Sequence, residues 1–271
     1  MKYLGLIIVL FSFAHVSAQD NDTSVLRKNG VVEVEKYQFV HAFIDNTDTC
    51  LLDIKKYDTL TRQVYHKYDM SCMGYKGNEE TIFEYGPSGF SKVVGRRDDE
   101  DFTVSTYTFE KGEKEPVGIN VFFLQTNDSM VISNSYFRNK KGLLDSSISV
   151  TIMQDGKRVY SRSVARYNKQ DKLIQLVNAD EQGDLTQMSS YDIDKSGLLL
   201  SSSFATYGEK PFFSQTYFSY NQKGQISNSV NTVNQKQELF YYDNGLLKNI
   251  LSYDPKGKLE VEYIFKYTYK K

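Results

Sequence analysis

Tryptophan is absent from the 271 residues of this chain, cysteine occurs twice and proline four times. Two cysteines are too few for a disulfide-dense scaffold or a four-cysteine zinc site. So little proline excludes a proline-rich or collagen-like chain. An excess of one charge is missing too: 33 Lys and Arg stand against 34 Asp and Glu. That balance leaves no electrostatic footprint for nucleic acid or anionic lipid. Beyond the N-terminus, no stretch is apolar enough to cross a membrane as a helix.

Histidine is also scarce, and with it the common catalytic arrangements. His15 lies in the N-terminal apolar segment, which leaves His41 and His66. No His-Glu-x-x-His, Cys-x-x-Cys or Gly-x-Ser-x-Gly element is present. His41 alternates with Phe39 and Phe43, and His66 lies between Tyr65 and Lys67; both positions suit packed strand residues. Asp192-Ile193-Asp194-Lys195-Ser196-Gly197 has the opening of a calcium loop, but Ser203 stands where the bidentate Glu belongs. Asp98-Asp99-Glu100-Asp101 reads as a solvated charged loop. The residues therefore indicate no catalytic, cofactor-binding or metal site. Paired carboxylates for glycoside hydrolysis are a spatial arrangement invisible in sequence, so a carbohydrate-active enzyme stays as an alternative.

The N-terminus reads as an export signal over residues 1–18. Lys2 gives a positive start, Leu4 to Ala14 is apolar, and Val16-Ser17-Ala18 offers a cleavage site. No cysteine follows to carry a lipid anchor. The processed protein is expected in the periplasm, on the outer surface or in the medium. Residues 19–30 read as a polar, disordered lead. In an oxidising compartment Cys50 and Cys72 form a candidate disulfide. If Tyr57 pairs with Gln63, the two cysteines are diagonal neighbours, slightly too far apart without a bulge; two buried free thiols are the alternative.

What the chain has in abundance is aromatic strand. Tyr (21) and Phe (17) suit half-exposed sheet positions. At the C-terminus Val261, Tyr263, Phe265, Tyr267 and Tyr269 share one face of a strand, with Glu262, Ile264, Lys266 and Thr268 on the other. Between strands a turn recurs: an aromatic, Asn or Asp, two variable residues, Gly, one more, then Leu or Ile. Tyr220-Asn221-Gln222-Lys223-Gly224-Gln225-Ile226 and Tyr253-Asp254-Pro255-Lys256-Gly257-Lys258-Leu259 are clear copies. One series begins at Tyr57, Tyr85, Phe109, Arg138, Tyr167, Ile193, Tyr220, Tyr242 and Tyr253. A second lies between them at Gly156, Gly183, Gly208 and near Lys236. Asn or Asp starts the turn by bonding its own backbone, and Gly supplies the positive φ that closes it.

These turns resemble the tyrosine-aspartate (YD) repeats of the Rhs family, loosely over residues 50–271. The resemblance implies arrays of β-hairpins, and associates them with surface-displayed shells, toxin encapsulation and carbohydrate contact. The fold expected is all-β: a single domain over residues 31–271, less regular to about residue 130. It would be an elongated or curled antiparallel β-meander of about 24–29-residue hairpin repeats. A closed outer-membrane barrel is the competing architecture, and charges on the strand faces argue against its lipid-facing band. The function expected is that of a non-enzymatic binding or scaffold module of the bacterial cell envelope, with a protein or glycan partner. An accessory of an Rhs-like delivery system is a further alternative. If aromatics stack on sugar rings, Tyr217, Tyr220, Tyr241, Tyr242, Tyr263, Tyr267 and Tyr269 are the candidates.

Overall fold

The computed structural model describes residues 23–41, 49–74, 77–87, 89–111 and 115–270; the signal segment lies outside them. A short helix, α1 (Thr23–Lys28), precedes eighteen strands. The first six are β1 (Val31–Val40), β2 (Cys50–Tyr57), β3 (Gln63–Asp69), β4 (Asn78–Gly86), β5 (Gly89–Arg97) and β6 (Glu100–Thr108). Six more follow as β7 (Gly118–Phe123), β8 (Asp128–Arg138), β9 (Leu144–Met153), β10 (Arg158–Tyr167), β11 (Leu173–Ala179) and β12 (Leu185–Ile193). The last are β13 (Leu199–Thr206), β14 (Phe212–Tyr220), β15 (Ile226–Asn231), β16 (Gln237–Asp243), β17 (Leu246–Tyr253) and β18 (Leu259–Tyr269).

Every strand pairs antiparallel with its neighbours in sequence, and β18 pairs with β1, for example Val34 with Tyr267 and Glu35 with Lys266. The meander is therefore not open or merely curled: it closes into an eighteen-stranded barrel. Strands twist, so a long meander coils, and joining its ends removes two exposed edges. Following the paired residues once around the wall displaces the start by about 20 residues. That stagger sets a strand tilt of about 40° and a width on the order of 30 Å between opposite backbones for a round section.

One face of the wall is the more buried and is the concave one. Val34, Ile119, Val121, Phe123, Met130, Ile132, Ala165, Phe240, Ile250 and Phe265 lie on it. Its polar positions bond along the wall: Ser149 Oγ donates to Asn134 Oδ1 and Ser163 Oγ to Asn178 Oδ1, each at 2.7 Å. Asn231 Nδ2 donates to Ser214 Oγ and Thr216 Oγ1, both at 3.0 Å. These bonds account for much Ser and Asn in the strands, because a half-buried polar group needs a partner.

The recurrent turns have one construction. In each of seven, the Asx Oδ1 accepts the N–H groups two and four residues on, as Asn221 does from Lys223 and Gln225. The residue three after the Asx has positive φ: Gly142, Gly183, Gly197, Gly224 and Gly257, with Thr61 and Asp171 in the remaining two. The aromatic before the Asx sits at a one-residue register shift at Tyr57, Tyr167, Tyr220 and Tyr253, and Tyr85, which precedes Gly86, sits at one too. At one rim tyrosine hydroxyls reach back to the preceding strand. Tyr85 donates to Gln63 O (2.8 Å), Tyr167 to Leu144 O (2.9 Å), Tyr220 to Leu199 O (2.7 Å), and Tyr267 to Leu247 O. All turns of the first series lie on that rim except Tyr253–Leu259, which joins β17 to β18 at the opposite one. Tyr242 already turns the chain at the first rim, through Asn244 and Gly245 with φ of 50° and 84°.

The polar lead is ordered from Thr23. Leu26 of α1 is buried among Val31, Val34, Phe240, Leu246, Leu247, Ile250 and Phe265, so the helix lies against the inner wall at the first rim. Arg27 fastens it by donating to Leu60 O at 2.8 Å. On the opposite rim a 3-10 turn, Met70–Met73, follows β3 and carries Cys72 back to Cys50. The two form a disulfide with Cα atoms 5.5 Å apart, a closeness that the straight ladder would not give.

Three measurements test this construction. Tyr220→Phe is expected to lower unfolding stability in urea by about 1 kcal/mol, the worth of one hydrogen bond. Gly224→Val should cost about 1–2 kcal/mol through left-handed backbone alone, since nothing lies within 4 Å of an added Cβ. Opening the disulfide, whose cysteines are 22 residues apart, should cost about 3 kcal/mol in the same assay.

The fourth concerns acid. The Ser196 side chain and the Leu198 N–H hold the Asp194 carboxyl below its ordinary value. A carboxyl depressed in the folded state adds stability above its unfolded value and loses it as pH falls through the folded one. Asp194→Asn should therefore flatten the acid limb of the stability curve; an unchanged acid limb would show that this turn does not contribute.

Candidate functional site

The outer face divides by chemistry. Charges crowd β1 to β5 and β18, mostly in cross-strand pairs such as Lys67–Glu80 (3.2 Å), Lys92–Glu84 (3.2 Å) and Lys56–Glu33 (3.2 Å). From β16 to β18 the wall holds a depression of about 410 Å³ lined by Tyr241, Tyr242, Lys248, Asn249, Leu251 and Glu262. That size is at the lower end for small-molecule sites.

Its geometry follows from two register shifts. On β16 and β17, Tyr241 stands opposite Asn249, and the shift after it sets Tyr242 opposite Leu247. Between β17 and β18 the shift at Tyr253 places Leu251 opposite Glu262. Without it Leu251 would face Val261, so this bulge decides which carboxylate reaches the depression. Alternation then turns Tyr241, Asn249, Leu251 and Glu262 to the same side of the wall.

Glu262 is held through one oxygen, and the buried His41 Nε2 near the other makes no hydrogen bond. Asn249 Nδ2 donates to Oε1 at 2.6 Å, and His41 Nε2 lies 3.8 Å from Oε2. The His41 ring is itself set edge-on against Phe39, with centroids 4.4 Å apart. Tyr241 is 47% exposed and presents a flat ring beside these polar groups. Burial, and secondarily the neighbouring Tyr220, push the Tyr242 phenol above its ordinary value, so it stays neutral. A planar apolar ring next to a fixed amide and carboxylate suits a ligand with both C–H faces and hydroxyls. One carboxylate lines the depression, whereas glycoside hydrolysis uses two. Among the described residues no group of three His, Cys, Asp or Glu is placed to hold a metal ion.

The structure distributes the candidate aromatics rather than stacking them in one ladder. Tyr241 offers its ring to the depression, whereas Tyr242 borders it but packs against the inner cluster with Phe240 and Leu247. Tyr217 is exposed on β14, on the same outer face but away from it. Tyr220 and Tyr267 serve as rim ties. Tyr263 faces inward with Lys36 Nζ 4.3 Å above its ring, and Tyr269 is exposed at the end of β18. Cys50 and Cys72 are joined at the far rim, away from the depression. His66 sits on the inner face, 3.1 Å from Asp53. Asn249, Leu251 and Glu262 carry no motif, and only the pairing of β16 to β18 brings them together.

No protein-family model matches the chain, and no curated protein does. Solved structures give distant likenesses. A porin-like protein from Bacteroides uniformis is 10% identical with a TM-score of 0.46, over 88% of this chain and 98% of that one. A second porin-like protein, from Bacteroides vulgatus, is 10% identical with a TM-score of 0.29 over the same shares. The TcdB2-TccC3-Cdc42 complex is 11% identical with a TM-score of 0.33; 84% of this chain is covered and 14% of that one.

Proposed function

We propose that this barrel is an exported, non-catalytic glycan-binding module of the bacterial cell envelope, and that the depression over β16–β18 takes a sugar unit. The observation that carries the reading is the pairing of the exposed Tyr241 ring with the Asn249–Glu262 hydrogen bond. A sugar ring lays its C–H face on an aromatic and its hydroxyls on such polar groups. Glu262 also offers acceptor capacity that a neutral polyol can use without bringing a countercharge.

The outer wall supports a barrel bathed in water. Arg162 lies midway along β10, faces outward and is exposed. An arginine at the lipid-facing midplane of a membrane barrel costs about 2–4 kcal/mol, and Glu33, Glu35, Lys67 and Glu80 add to that face. Export rests on the N-terminal segment; the mass of the secreted protein should begin at Gln19.

The test is calorimetric titration of the processed protein with cell-wall and capsular oligosaccharides. Tyr241→Ala is expected to weaken binding at least tenfold while leaving the unfolding midpoint within a degree or two, because its ring is exposed. Asn249→Ala should weaken binding as much and also lower the midpoint, because it removes the hydrogen bond to Glu262. Equal binding by these variants would remove the site. Appearance of new reducing ends, abolished in Glu262→Gln, would instead establish a carbohydrate-active enzyme.

A further inference from the structure

Strand β10 shows a different outward chemistry. Its outward side chains are Arg158, Tyr160, Arg162, Val164 and Arg166, and all three arginines are exposed. Elsewhere the described arginines are engaged. Arg27 bonds Leu60 O, Arg62 pairs with Asp58, Arg96 with Asp101, Arg97 with Glu79 and Arg138 with Glu115. Among the described residues those of β10 have neither a hydrogen-bond nor an ion-pair partner. In a chain whose charges otherwise balance, three unpaired guanidinium groups in one line form a local positive field.

The line has a defined length and setting. Residues four apart on a strand are separated by about 13 Å, so the column runs about 27 Å, nearly the full height of the wall. The outward residues paired with it on the neighbouring strands are uncharged. Arg158 stands opposite Ile152 and Arg162 opposite Ile148 on β9, while Ala179 and Gln175 of β11 face Arg162 and Arg166. The charged column is therefore one strand wide, with largely aliphatic outward neighbours broken by Ser146 and Gln175. A flat anionic bilayer calls for a broad patch, and a sugar polymer for hydroxyls and rings. A strand-like acidic polypeptide fits best: carboxylates at every fourth residue match the arginine spacing, and aliphatic residues between them meet Ile148, Ile152 and Val177.

We propose that the outward face of β10 is a docking surface for an extended acidic polypeptide segment of a partner protein, gripped by Arg158, Arg162 and Arg166. Because the barrel has no free edge there, recognition runs through side chains alone, and the guanidinium fork suits carboxylates. This surface is separate from the depression on β16–β18 and stands or falls without it.

The probe is a labelled synthetic peptide with Glu at every fourth position and Val and Ser between, against an isomer with its Glu residues adjacent. Fluorescence anisotropy with the processed full-length protein at low salt should show the spaced peptide binding at least tenfold tighter than the isomer. Affinity should fall as salt rises. Replacing all three arginines by Ser should reduce it at least tenfold, with an unchanged circular dichroism spectrum; if that variant does not fold, Arg162→Ser alone should weaken binding measurably. Tyr241→Ala should leave it intact. Equal affinity for both peptides, or undiminished binding by the arginine variants, would overturn the proposal. So would capture of dextran sulfate or anionic phosphatidylglycerol vesicles through these arginines without binding of the spaced peptide.

Discussion

The pairing of β18 with β1 is the constraint on which the rest of the molecule depends. A wall one strand thick has no opposing layer to pack against, so most strand residues remain partly exposed and few are fully buried. Its stability comes from the hydrogen-bond ladder and from neighbours along each face. An open ribbon of this length would leave two long edges able to pair with other chains. Closure also places the largest buried cluster: Val34 of β1, Phe240 of β16, Ile250 of β17 and Phe265 of β18 collect around the seam, and Leu26 of α1 covers them. The helix is held where the first and last strands meet, so α1 and β18 stabilise each other.

The rims explain how so thin a wall keeps its register. Each of the seven Asx turns satisfies its own backbone through the Asx side chain, and at Tyr167 and Tyr220 the tyrosine before it bridges to the previous strand. The register shift at that tyrosine gives up a regular ladder position, and the hydroxyl bond to a carbonyl offsets the loss. A shift of one residue has consequences far from the rim. The one at Tyr253 brings Leu251 opposite Glu262, and the outer depression exists because of it. A device that begins as turn chemistry thus sets which side chains share a surface.

Much of this was legible in the residues. The alternation at Val261–Tyr269 and the repeated Asx-x-x-Gly turns specify strands, reversals and their approximate spacing, because both signals are local. The Asn244-Gly245 hairpin and the pairing of Tyr57 with Gln63 follow from the same rules. Closure was not legible: whether two edges meet depends on twist and stagger summed over eighteen strands, and no single residue encodes that sum. Thr23–Lys28 looked polar and loose because its fold rests on one buried leucine meeting residues more than two hundred positions away. The depression was hidden for a related reason. Tyr241 and Tyr242 stood out as aromatics, but Glu262 read only as a polar position across its strand from Tyr263 and Tyr267, and nothing in the local sequence joined it to Asn249 until the bulge fixed their partners. The β10 arginines were visible as residues, and only the pairing of every other arginine set them apart.

Closure itself is most directly tested by a cross-link at the seam. Glu35 and Lys266 are paired on the outer face, so Glu35→Cys with Lys266→Cys should oxidise to an intramolecular disulfide, seen by mass spectrometry of the non-reduced peptides. The closed barrel predicts that bond in the monomer at near-complete yield. A folded protein with both thiols free, or joined only between molecules, would show that the first and last strands do not meet.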